Sequence, residues 1–435
     1  MNLVVNLQGS SHGWGDVIGS WWFALEMATK TQNNPFAIIT VLLDARALDI
    51  LLMAEGVSSL SVLQATYVTR NLRFRMTPNK QQEQEQDQAD YVFEMYSDGR
   101  SRQRVSGSVL VRAHCSHYRR GIDEITSCWR APMQFASIGL GPDRSGILRN
   151  PVVDELISMQ VASLWWGHDN LSDPVHNPPV NCARKYAIDA FSEHHACQAI
   201  EALLRSTTDI AFGFVYGMHN ECKFDGLATN TFPQTDAFFR DVVLAHPSRR
   251  RHVVFSPTTR AIIEKRLASL VRECRVTVLD PDEVDLIFSM EEDVDDREHA
   301  HAHAYVIALP NITNRQFTGL MACSDTCVLV EGDCAVATAV QIGIPFLQYA
   351  SPWNASQLRQ LVRQIPELSA VYDNYNDDGY YDNDNNDDNN NISTPPRFYE
   401  YHKIAHGTRR VEALSFYTDS LMVNLDLFYR GIISP

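Results

Sequence analysis

The sequence predicts an α/β protein built as two doubly wound halves, and three observations carry that expectation. Short apolar runs of strand length alternate with segments of helical periodicity along most of the chain. The run Leu3 to Leu7 begins almost at the first residue, as the central strand of a parallel sheet would. A further apolar run, Asp209 to Tyr216, follows a helix and the polar hinge STTD and restarts the alternation. The expected boundary therefore lies near 206, with halves of 1–205 and 206–398 and a closing helical segment at 399–435.

Taken in order, Leu3 to Leu7 ends in the loop GSSHGWGD, whose glycines allow a sharp bend and close approach to a ligand. Val17, Trp21, Leu25 and Ala28 then repeat with helical spacing, which places Asp16 at the helix N-cap. Phe36 to Leu43 is a second buried strand, and βα signals continue through Leu60 to Val68. The glutamine-rich stretch at 79–90 reads as a solvated loop. Ser108 to Arg112 and Gln134 to Leu140 are further strands, followed by helices over 152–163 and 190–204. In the second half, strands are expected at 210–216, 252–255, 276–279 and 305–309, with helices near 235–245, 258–273 and 314–322. From 373 to 391 the chain is nearly all Asn, Asp, Tyr and Gly; too polar to bury a core, it reads as a disordered insertion.

The stretch VLVEGDCAVATAVQIGIP, Val328 to Pro345, draws these signals together. A strand ends in the turn Glu331, Gly332, Asp333 and feeds a helix of small residues from Cys334 to Ile342, which Gly343 stops. Such a turn aims unpaired backbone N–H groups and the positive end of a helix dipole at one point, where an anion such as a diphosphate fits. An ordinary βαβ unit whose glycine only makes the turn would read the same way.

Composition narrows the classes. The 435 residues exceed one ordinary core. Against 37 basic residues stand 53 acidic ones, a net charge of -16, which excludes an electrostatic nucleic-acid binder. No stretch approaches the roughly 18 uninterrupted apolar residues of a membrane helix. Nine cysteines without a regular framework, and a start lacking a basic and then apolar leader, point to a cytoplasmic protein. His299, His301 and His303 alternate on one side of an extended segment and could bind zinc, but no fourth ligand is evident, so no metal is expected. Cys323 and Cys327 read as buried packing.

The segment at 308–353 resembles the C-terminal domain of GT-B glycosyltransferases, and within them the bacterial family that rhamnosylates an arginine of elongation factor P. The family's turn R-G-E-D-S is matched by Glu331, Gly332, Asp333, Cys334 and Ala335, and its G-x-P-F by Gly343, Pro345 and Phe346. Its D-N-F-G-D loop is matched by His12, Gly13, Trp14, Gly15 and Asp16, with Trp21 in register. Ser145 to Pro151 is similar to G-G-L-L-R-E-P, and Tyr216 follows its strand as a family tyrosine does. The chain departs from the family at several positions: Glu331 stands where the family has a diphosphate-holding arginine, Asp333 where it has glutamate, Cys334 and Ala335 where it has aspartate and serine, and His12 replaces the first aspartate of the N-terminal loop.

The resemblance implies two Rossmann-like domains facing a cleft, the first for the acceptor and the second for a nucleotide-diphosphate sugar, with no further cofactor. Donor-binding residues would be Tyr216, Glu331, Gly332, Asp333, Cys334 and Ala335; Trp14 and Gly15 would meet an acceptor, which a protein side chain could supply. Inverting displacement needs a base within hydrogen-bond reach of the acceptor. His12 with Asp16 orienting it is one assignment, Asp16 as base another, and a structural histidine with a capping aspartate a third. An epimerase or hydrolase acting on nucleotide sugars, and an inactive nucleotide-binding module, remain open.

Overall fold

The structure is a computed structural model. It describes residues 1–7, 14–29, 36–67, 71–76, 89–96, 107–114, 132–134, 146–158, 178–192, 198–206, 210–221, 234–245, 251–289, 303–344, 346–349 and 419. The expected insertion at 373–391 and, apart from Asp419, the closing segment at 399–435 lie outside these residues. The chain divides into two compact units at Pro151 and Val152.

In the first unit, β1 (Asn2–Leu7), α1 (Gly15–Thr29), β2 (Ile38–Leu43), α2 (Ala45–Glu55), α3 (Leu60–Tyr67) and β3 (Leu72–Met76) are followed by β4 (Ala89–Tyr96), β5 (Gly107–His114) and β6 (Pro132–Gln134). The six strands form one sheet in the order β3-β2-β1-β4-β5-β6, parallel throughout. This is the doubly wound, Rossmann-like order. Leu3 to Leu7 are all buried, because β1 lies between two strands and under α1. Phe23 of α1 stacks on Phe93 of β4 at 3.7 Å between ring centres. Asp44 caps α2 by accepting from the Ala47 amide at 2.6 Å, and Gly56 ends it at φ 67, a left-handed position suited to glycine.

Two strands of this sheet are absent from the pattern expected of the sequence. LRFRM, β3, alternates apolar residues with arginines on a sheet edge, and ADYVFEMY, β4, carries acids near both ends. Neither is an unbroken apolar run, yet β4 lies at the centre of the sheet beside β1.

The second unit begins with α4 (Pro151–Ser158), α5 (Pro178–Ser192) and α6 (Gln198–Arg205). There follow β7 (Ile210–Phe214), α7 (Met218–Glu221), and α8 (Gln234–Phe238) running into a π-helical turn over Phe239–Val243. Then come β8 (Arg251–Ser256), α9 (Arg260–Arg266), α10 (Ala268–Arg272), β9 (Val276–Leu279), α11 (Leu286–Ser289) and β10 (Ala304–Ala308). The described part closes with α12 (Asn314–Ala322), β11 (Val328–Val330), α13 (Asp333–Ile342) and β12 (Phe346–Gln348). Strands β7-β8-β10-β9 form a parallel sheet, and β11 pairs with β12, also parallel. A parallel bridge from Val215 to Leu329 sets β11 beside β7.

The division at 151 and 152 differs from the boundary expected near 206, and the reason is side-chain packing. Arg184 of α5 pairs with Asp325 at 3.3 Å and lies over the Phe212 ring, while Asp325 also accepts from the Phe212 amide at 2.9 Å. Arg315 of α12 donates to Glu155 at 2.9 Å across to α4, and Tyr186 donates to the same carboxylate. Helices α4 and α5 are thereby tied to α12 and to the middle of β7. Among the described residues no single helix is long and apolar enough to cross a membrane; α2 and α3 reach that length and composition only as a pair bent by 60°.

Gly319 lets α12 approach α5: a Cβ there would lie 3.0 Å from the Ala187 Cα and 3.3 Å from the Tyr186 ring. A helix interior ordinarily gains from replacing glycine, by about 1 kcal/mol. Gly319→Val is instead expected to destabilise the protein by about 1–3 kcal/mol, the usual cost of overpacking. Urea unfolding measures it, and an unchanged midpoint would mean that the helices are not in this contact.

Candidate functional site

In an open parallel sheet, ligands bind where the strand order reverses, outside the carboxyl ends of the strands. In the first unit the chain winds from β1 outward through β2 and β3, and on the other side through β4, β5 and β6. The reversal lies between β1 and β4, next to the loop that follows Leu7. In the second unit β8 lies on one side of β7 and β11 on the other, so the reversal lies between β7 and β11. Both loops singled out in the sequence follow strands at a reversal point.

His12 and Gly13 lie outside the described residues. Trp14 precedes α1 and its carbonyl accepts from the Ile18 amide at 3.0 Å, which makes Trp14 the capping position. Gly15 is the first helical residue, with open space where a Cβ would stand, and Asp16 falls within the first turn. Asp16 is therefore not the N-cap expected of it; the helix starts two residues earlier than its apolar periodicity indicates. A carboxylate in the first turn still complements the helix dipole. Trp21 belongs to the core: fully buried, it donates to Glu55 at 2.7 Å and meets Tyr67 edge-on. Ser145 lies outside the described residues; Gly146 has φ 112, and Ile147 and Leu148 are buried.

The second reversal point brings the expected donor residues together. The Tyr216 amide donates to the Leu329 carbonyl at 2.8 Å, and the Tyr349 amide to the Val330 carbonyl at 2.9 Å, so the ends of β7, β11 and β12 are in step. Gly332 caps α13 with no side-chain hydrogen bond, at φ 86 and ψ 149, a region that only glycine enters freely. Asp333 opens the helix, Cys334 is half-buried and Ala335 buried. Gly343 ends the helix at φ 76, its amide donating to the Ala339 and Val340 carbonyls. The Tyr216 ring packs edge-on against Phe317 and near His219. Burial pushes its phenol up from the usual tyrosine range, and the Glu331 carboxylate and Cys334 thiol add to the shift. Tyr216 therefore stays protonated at any working pH and offers a donor beside an acceptor.

One feature of this site escaped the sequence reading. Gly217, at φ 127, has no room for a side chain: a Cβ would lie 2.5 Å from the Glu331 Cβ and 2.8 Å from the Tyr349 ring. Glu331 is only 7% exposed, so it is packed into this region instead of lying on its rim. The signal available was the pair Tyr-Gly at the end of an apolar strand, which alone is only a turn signal.

His303 is the only described member of the histidine triplet. Its Nδ1 lies 3.0 Å from the Cys274 carbonyl, which can only accept, so Nδ1 carries the proton. Nε2, 3.0 Å from the Thr277 hydroxyl, then accepts. Both ring nitrogens are engaged, and no lone pair is left for a metal. Among the described residues no group of three or more His, Cys, Asp or Glu side chains is placed to hold one. Burial pushes the Cys323 thiol up to about 12, and Cys323 and Cys327 are both buried and unoxidised. No protein-family model matches the chain, and no curated protein sequence matches it either.

Two outcomes follow from this geometry. Gly332→Ala is expected to cost about 1–3 kcal/mol of stability, because an L side chain is strained at that φ and ψ whatever the ligand; chemical denaturation measures it. His303 has its pKa lowered, chiefly by burial and against its backbone hydrogen bond. The unfolded chain, with a histidine pKa of about 6.5, then binds the proton first. The stabilising contribution is complete above that value and is lost as pH falls from it through the lowered folded value. Unfolding curves measured across that acid window should fall less steeply for His303→Gln than for the parent.

Proposed function

We propose that the chain is a glycosyltransferase of the GT-B kind, taking a nucleoside-diphosphate sugar at the reversal point of the second unit. The observation that supports this most is the positive-φ glycine turn at the head of α13, beside Tyr216 and the buried Glu331. The backbone amides from Gly332 to Ala335 would hold the diphosphate and stabilise it as it leaves. Tyr216 and Glu331, a donor beside an acceptor, suit hydroxyls of ribose or sugar.

The first unit would present the acceptor at the loop of Trp14, Gly15 and Asp16. In the proposed reaction an acceptor hydroxyl or nitrogen attacks the anomeric carbon and its proton passes to His12 or Asp16. The bond from that carbon to the diphosphate oxygen breaks, and the configuration inverts. Among the described residues Cys274, Cys323, Cys327 and Cys334 form no disulfide, which fits work in a reducing compartment such as the cytoplasm.

One observation favours a second reading, a nucleotide-binding module without transfer activity: two carboxylates, Glu331 and Asp333, flank the glycine where phosphates would approach. Thermal unfolding with a panel of nucleoside diphosphates and nucleotide sugars tests the first half of the proposal. A ligand bound at 100 times its Kd stabilises the native state by about 2.7 kcal/mol. No stabilisation by any of them would remove the nucleotide from this site. Product formation then separates the classes: nucleotide sugar alone would be turned over by an epimerase or hydrolase, while a transferase requires an acceptor.

Asp16→Asn tests the base. Losing a first-turn charge costs at most about 1 kcal/mol of stability, whereas losing general-base catalysis costs about 10²-fold or more in turnover. A variant that turns over like the parent would take Asp16 out of the chemistry.

A further inference from the structure

The residues behind Glu331 form a closed chain of contacts that the reaction itself does not account for. Gly217 sits between the Glu331 Cβ and the face of the Tyr349 ring, and a methyl group at 217 would collide with both. Tyr349, at the end of β12, is 3% exposed, and its amide is bonded to the Val330 carbonyl immediately before Glu331. Its hydroxyl shares a 2.7 Å hydrogen bond with Thr235 Oγ1, which is fully buried in the first turn of α8. Three segments far apart in the chain, 216–217, 330–332 and 349, thus meet at one glycine, and Thr235 fastens the third of them to a helix.

We propose that Tyr349 is a positioning residue, held by Thr235, which sets the place of the Glu331 carboxylate at the nucleotide site. This rests on the proposed function for the identity of the ligand, but not for the positioning itself. Glu331 cannot retreat toward β7, because the Gly217 backbone is already in contact with it. The Tyr349 ring crowds the same glycine, since a Cβ at 217 would lie 2.8 Å from it, and so bounds the space open to Glu331 on the β12 side. Freeing the ring by removing its hydroxyl bond loosens the second wall while leaving the first intact. The hydrogen bond is buried and links groups with no charge, so its effect on Glu331 passes through packing and not through a field.

The decisive measurement needs no ligand. Urea unfolding of the parent, Tyr349→Phe, Glu331→Gln and the double variant forms a cycle. If Tyr349 positions Glu331, the cost of Tyr349→Phe changes when Glu331 is already glutamine. Strictly additive costs would overturn the proposal, since a tyrosine that merely packs would lose the same stability in either background. Thr235→Val should reproduce the behaviour of Tyr349→Phe, and Thr235→Ser, which retains the hydroxyl, should restore that of the parent. The second arm is calorimetric binding of uridine, guanosine and thymidine diphosphates. Tyr349→Phe is expected to weaken the one that binds best by about tenfold in the parent background and by less than twofold beside Glu331→Gln. A parent that binds none of the three would overturn the functional reading, while the unfolding cycle would still decide the positioning.

Discussion

Parallel pairing is the constraint on which the rest of this protein depends. A parallel pair cannot be closed by a short turn; the chain must cross back over a face of the sheet, usually as a helix. Every strand pair among the described residues is parallel. The carboxyl ends of the strands in each unit therefore collect along one edge, and the loops that leave them gather there too. Winding in both directions from β1, and from β7, opens a crevice at each reversal. The glycine loops after β1 and β11 acquire their importance from that placement and not from glycine content alone.

The sheet of the second unit is pinned along β7 by different means at two places. At its middle residue, the Asp325 carboxylate takes the Phe212 amide and the Arg184 guanidinium together, and the Asp325 amide returns a bond of 2.8 Å to the Phe212 carbonyl. A buried ion pair is a weak source of net stability, because desolvation offsets the attraction. Its evident consequence is register: it fixes where the turn before β11 meets β7. Beyond its carboxyl end the Tyr216 amide meets the Leu329 carbonyl, and Gly217 brings Glu331 and Tyr349 together. Between these two anchors β11 has no freedom to slide, and the head of α13 is delivered to the crevice.

The first unit has a comparable device away from its crevice. Glu55 accepts from Trp21 of α1 and from Tyr67 of α3 with its two oxygens, while the Trp21 ring also meets Phe74 of β3. A carboxylate satisfied in this way sets the spacing of three helices over the sheet edge. Trp21 had a place in the resemblance to a transferase family, and its surroundings assign it to packing.

What the sequence determined by itself is the local grammar. The strand, glycine turn and small-residue helix of 328–342, the stop at Gly343, and α12 over Asn314–Ala322 are all written in contiguous residues, because propensity, capping and period are short-range. The start of α1 was misplaced by two residues, since a first turn and a cap carry the same polar residues. The strands β3 and β4 were missed because an edge strand and a strand flanked by acids do not present an unbroken apolar run. Tertiary structure alone decided that α4 and α5 join the second unit, that His303 spends both nitrogens on hydrogen bonds, and that Glu331 and Tyr349 both crowd Gly217 while Thr235 holds the Tyr349 hydroxyl. Those facts depend on which strand ends a parallel sheet places side by side, and residues more than a hundred positions apart have no local signal by which to announce that they will touch.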